Sequence, residues 1–91
     1  MTIGSITNNS ATAEWPQVAG AAAYKYERAD NSAGTLNVVQ TTAVDTDDPV
    51  SRTLSGLTSG KNYWVRVTPI SNVDASDMLD FQSIWTPFTT L

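Results

Sequence analysis

Apolar and polar residues alternate along much of the chain. Ala11, Ala13 and Trp15 are separated by Thr12 and Glu14, Tyr24 and Tyr26 by Lys25, and Tyr63, Val65 and Val67 by Trp64 and Arg66. A period of two marks strands with one buried face and one wet face. No long stretch repeats apolar positions at the helical period. Turn-forming residues punctuate the alternation at Asn8-Asn9, Pro16 to Gly20, Asp30 to Gly34, Asp45 to Pro49, Ser55 to Gly60 and Asn72 to Asp80. The segments between them predict seven strands, near 2–7, 10–16, 22–29, 35–43, 50–55, 62–71 and 82–90. So many short strands in so short a chain predict an all-β sandwich, with a barrel as the alternative.

Composition narrows the chemistry. The 91 residues suffice for one domain around one modest core. The chain has neither Cys nor His. Disulfides, thiolate zinc sites and cysteine nucleophiles are therefore excluded, along with the commonest general base. Nine acidic residues against five basic ones give a formal charge of −4, which disfavours binding to a phosphate backbone. The longest apolar run, Val18 to Tyr24, falls far short of the ~20 residues of a membrane span, so no membrane insertion is expected. Met1 to Ser5 lack the basic-then-apolar pattern of a signal peptide. Nothing in the sequence suggests a cleft, an acid–base pair in fixed geometry, a nucleophile elbow or a phosphate loop. The expectation is a non-catalytic module without a cofactor, cut from a longer protein.

Two landmarks sharpen the fold. Trp15 closes the second segment and is followed by Pro16. Leu54, Leu57, Gly60 and Tyr63 then form an L-x-x-L-x-x-G-x-x-Y run that leads into Trp64-Val65-Arg66-Val67. On these residues the chain resembles a fibronectin type III domain over nearly its whole length, that is, a seven-stranded immunoglobulin-like β-sandwich. The resemblance implies that Tyr63 forms a tyrosine corner, its hydroxyl reaching back to backbone across the preceding turn. It maps Trp15, Tyr26, Leu54, Leu57, Tyr63, Val65 and Val67 to the core. The wording from Trp15 to Tyr24 is more similar to bacterial members, which commonly serve as spacers and interaction modules in secreted and surface proteins. An extracellular location and contacts with neighbouring domains of the same chain follow as expectations. The integrin-binding Arg-Gly-Asp tripeptide of animal members is absent from residues 72–80.

Three candidate sites follow from this arrangement. The resemblance brings the loops holding Asp45, Asp47 and Asp48, and Asp74, Asp77 and Asp80, to one pole. There they could hold a cation or dock a basic protein partner, or simply serve as turn residues on a solvated end. Met78 and Leu79 lie in the same long loop and are candidates for contact with a partner or a preceding domain. Trp64, Arg66 and Trp85 fall on the outer face of one sheet if Val65, Val67, Ile84 and Phe88 point inward. They would form a platform for carbohydrate stacking, or a self-contained stack of Arg66 on Trp85. Ser83-Ile84-Trp85-Thr86 resembles half of the cytokine-receptor Trp-Ser-x-Trp-Ser motif. Arg52 and Arg28 share phase with inward residues, so each is expected to snorkel out at a strand end.

Overall fold

The computed structural model describes residues 1–91. The strands are β1 (Thr2–Gly4), β2 (Ala11–Trp15), β3 (Ala21–Ala29), β4 (Val39–Val44), β5 (Val50–Leu54), β6 (Asn62–Ser71) and β7 (Thr86–Thr89), with one 3-10 turn at Leu79–Phe81. They form two antiparallel sheets. The three-stranded sheet has the order β1-β2-β5 and the four-stranded sheet β4-β3-β6-β7. Each sheet keeps two free edges, so the chain forms a sandwich and not a closed barrel. No helix is long and apolar enough to cross a membrane.

The core lies between the sheets. Ala11, Ala13, Trp15, Val50 and Leu54 come from the smaller sheet, Tyr24, Tyr63, Val65, Val67 and Phe88 from the larger, and Leu57 from the turn between β5 and β6. The alanines of β2 leave room for the rings opposite. Trp15 meets Tyr24 edge-on with ring centres 5.6 Å apart, and Tyr63 stacks on Phe88 at 5.7 Å. Such pairs add about 0.5–1.5 kcal/mol beyond the area they bury.

The tyrosine corner is present. The Thr58 N–H donates to the Tyr63 hydroxyl at 2.7 Å, and Gly60 takes the positive φ of +64° that the turn requires. Arg28 lies over the Tyr63 ring at 5.2 Å from its centre, near the end of β3. Arg52 leaves the core side of β5 to reach Asp45 at 2.8 Å.

Several expectations need correction. Tyr24 is almost fully buried, whereas Tyr26 is only half-buried. Both point inward, but Tyr26 lines a groove where β4 and β5 stand apart, shared with Arg28, Val39, Thr41, Thr53 and Leu54. β1 ends at Gly4, because Ser5 takes a positive φ of 49°. β4 begins at Val39 and not near residue 35, because Asn31 organises the preceding loop. Its side-chain oxygen accepts the N–H groups of Thr35 and Leu36, and the Leu36 carbonyl accepts the Asp30 N–H. β7 begins at Thr86 and not near residue 82. Thr86 is opposite Val65, yet it is Ser83, not Ile84, that exchanges hydrogen bonds with Val67. The extra residue bulges the chain, and Ile84 is left 82% exposed instead of pointing inward.

Candidate functional site

The outer face of the four-stranded sheet is built by register. Lys25, Glu27 and Ala29 on β3 lie opposite Thr68, Arg66 and Trp64 on β6. An outer face of an antiparallel sheet is ordinarily wet, yet Glu27 and Thr68 are buried. Two irregular segments cover them. The chain before β7 lays Gln82 and Trp85 over the sheet, with Gln82 Nε2 donating to the Thr68 hydroxyl at 2.8 Å. The loop after β3 brings Gly34 against the Trp85 indole, so closely that a Cβ there would overlap the ring.

Arg66 is the centre of this layer. Its guanidinium carbon lies 4.4 Å from the Trp85 ring centre, while Nη2 donates to Glu27 Oε1 at 3.0 Å. The stack of Arg66 on Trp85 is thus formed, and one face of the indole is occupied by a cation. Trp64 is half-buried one register step away, between Ala29 and Pro87 on the adjacent strands. Glu27, Thr68, Gln82 and Gly34 complete the layer and were not among the expected site residues. Alternation alone assigns Glu27 and Thr68 to solvent, and only the folded loops reverse that.

The second region is the pole at which Met1 lies. The loops after β2, β4 and β6 meet there. The Gln17 N–H donates to Asp48 Oδ1 at 3.1 Å, and the Asn72 N–H to the Gly20 carbonyl at 2.8 Å. Asp45, Asp47, Asp48, Asp74, Asp77 and Asp80 all belong to these loops, but they are dispersed by local bonding. Asp45 pairs with Arg52, and Asp77 with Lys25 at 2.7 Å. Asp74 accepts from the Ser76 hydroxyl and N–H, which holds its carboxyl below the usual range. No three acidic side chains come together in a group that could hold a metal ion. Met78 is half-buried, its methyl 3.9 Å from where a Cβ on Gly20 would lie, whereas Leu79 is 64% exposed. Phe81 is also exposed and lines a shallow apolar recess with Met1, Trp15, Pro16, Val18 and Pro69.

Charge pairing leaves a polarised molecule. Lys25, Arg52, Lys61 and Arg66 each pair with one carboxylate, and Arg28 has none within pairing distance. The carboxylates left over are Glu14, Asp47, Asp48, Asp74 and Asp80, and all belong to the Met1 end of the sandwich or the loops that meet there. At the opposite pole Asp30 accepts from Asn37 Nδ2 and Lys61 Nζ, both at 2.9 Å, and these bonds hold its carboxyl below the usual range. Burial alone would raise the Tyr63 phenol. The Thr58 N–H, with Lys61 and Arg28 near the ring, brings it below its ordinary value instead.

No family model matches the chain, and a search of curated proteins finds no significant relative.

Proposed function

We propose that the chain is a fibronectin type III-like, non-catalytic spacer and interaction module of a larger extracellular bacterial or phage protein. The observation that carries this reading is the placement of the two ends. Met1 lies beside Trp15, Pro16 and Pro49 at one pole. At the other, Leu91 accepts the Gly60 N–H and donates to the Thr7 carbonyl. A chain that enters one pole and leaves the other suits a row of modules about 40 Å long each. The strand grouping, the Tyr63 corner and the buried Trp15 support the family assignment.

Small-angle scattering of the chain together with its natural flanking sequence tests the spacer reading. An extended envelope, lengthening by one module per domain, supports it. A natural protein without flanking domains, or flanks folded back on the sandwich, overturns it.

A second reading rests on the charge polarity. The uncompensated carboxylates of the Met1 pole, beside exposed Leu79 and Phe81, suit a basic protein partner or a neighbouring domain. Carbohydrate stacking on Trp64 and Trp85 is less well supported, because a sugar needs an open ring face and Arg66 covers one face of Trp85. Glycan titration with Trp64→Ala and Trp85→Ala variants separates the readings. Sugar binding lost in these variants restores the platform. A melting temperature insensitive to calcium and to chelator excludes a stabilising cation at the pole.

A further inference from the structure

The sandwich has four free strand edges, and three carry features that discourage pairing with another chain. β1 is only three residues long, β5 carries the inward-phase charge of Arg52, and β7 carries Pro87. Short edges, inward charges and prolines are the ordinary protections of an exposed edge. β4 carries none of them in its own residues, and only its last carbonyl is covered, by Arg52 Nη2 of β5 at 3.3 Å from the Val44 oxygen. From Thr35 to Val44 the sequence Thr-Leu-Asn-Val-Val-Gln-Thr-Thr-Ala-Val contains no charge, no Pro and no Gly. Five of its six strand residues are exposed, and β3 occupies only one of its sides. Four of the nine exposed large apolar residues of the molecule, Leu36, Val38, Val39 and Val44, belong to this stretch.

We propose that β4 pairs antiparallel with β4 of a second copy of this chain, about a twofold axis near Thr41 and Thr42, joining two four-stranded sheets into one of eight strands. Backbone N–H and C=O groups pointing away from β3 would find partners across the seam. Exposed Val38 and Val39 of one copy would come beside exposed Val44 of the other.

Charge selects both the partner and the direction. Two copies with a net charge of −4 repel each other, and residues 39–43 of the edge form a strip of uncharged side chains that ends where Arg52 meets the Val44 carbonyl and Asp45. Beyond Val44 lie Asp47 and Asp48, which have no cationic partner. Beside Val39 on β3 lies Arg28, the cation without a carboxylate. Antiparallel pairing sets the acidic end of one copy beside the Arg28 end of the other, twice over by symmetry, whereas parallel pairing would set acid against acid. The twofold also closes the assembly, because each copy spends the one edge whose own residues leave it unprotected.

Sedimentation velocity from micromolar to millimolar concentration tests this, with a Gln40→Lys/Val44→Lys variant alongside. Both residues are exposed on β4, Gln40 opposite Glu27 and Val44 opposite Ala23, so neither lysine meets a like charge on β3. The expected result is a mass rising toward twice the monomer, with at least ~10-fold weaker association in the variant at unchanged melting temperature. A second readout protects against a misfolded variant. Amide exchange at residues 39–44 of the unaltered protein should slow as its concentration rises. A chain that stays monomeric, an open-ended aggregate, association unaffected by the lysines, or exchange at β4 independent of concentration would each overturn the proposal.

Discussion

Tyr24 and Tyr63 do the same job at opposite poles of the sandwich. Each ring is buried, and each hydroxyl accepts a backbone N–H from a nearby turn, Tyr24 from Val18 at 2.8 Å and Tyr63 from Thr58 at 2.7 Å. The two phenols pin the turn before β3 and the turn before β6 to the same core. Removing either hydroxyl keeps the ring and loses the bond. Tyr24→Phe and Tyr63→Phe should each cost about 1 kcal/mol, or a melting temperature lower by roughly 4–8 °C. The costs should add, because the bonds are at different ends of the molecule. Urea unfolding of the single and double variants checks both statements, and strong non-additivity would show that the poles are coupled.

Arg66→Ala removes two contacts at once, the stack on Trp85 and the partner of buried Glu27. The stack is worth about 0.5–1 kcal/mol, and a carboxylate left without its partner adds to the loss, so about 1–2 kcal/mol is expected. Arg66→Lys should recover part of this, since an ammonium keeps the charge but lacks the planar fork. Equal stability of Arg66→Ala and the unaltered chain would remove Arg66 from the account of this face.

Gly34 and Gly56 separate backbone strain from crowding. Both have a φ of +70°, but a Cβ at Gly56 meets open space and one at Gly34 meets the Trp85 ring. Alanine in the left-handed region costs about 1–2 kcal/mol at either position. Gly34→Ala should lose at least about 1 kcal/mol more than Gly56→Ala, because the indole must move off the sheet. A change in Trp85 fluorescence should accompany the first substitution and not the second.

Acid should weaken the fold through Asp30 and Asp74. Their carboxyls are held below the usual range in the folded chain, so the unfolded chain takes up protons first as the pH falls. Their contribution is complete above the ordinary carboxylate pKa and is lost as the pH drops through the lowered folded values. Stability measured by urea at neutral pH and at successively lower pH should fall, and Asp30→Asn should flatten that fall. An unaltered acid limb in the variant would show that Asp30 does not contribute to it.

Much of the strand framework is legible in the alternation, because a strand with one wet face imposes a period of two. Trp15, Leu54, Leu57, Tyr63, Val65 and Val67 are buried as expected. The exceptions arise where a loop competes with a strand. Asn31 delays β4 through its own hydrogen bonds, and the extra residue between Ser83 and Thr86 turns Ile84 outward. Neither changes the local hydrophobic pattern enough to announce itself.

The sequence by itself determined the all-β class and the absence of Cys and His chemistry, since each rests on residue type and local spacing, while the corner at Tyr63 was an implication of the family resemblance. Only the tertiary structure decided which faces are free. Loop 30–38 and the segment before β7 bury Glu27 and Thr68 beneath Arg66 and Trp85, so of the two arrangements expected on this face it is the self-contained stack of Arg66 on Trp85 that forms. The same folding leaves β4 as the edge whose own residues do least to protect it, and decides which of the acids at the Met1 pole find a cationic partner. Those outcomes depend on contacts between residues far apart in the chain, which a period of two does not encode.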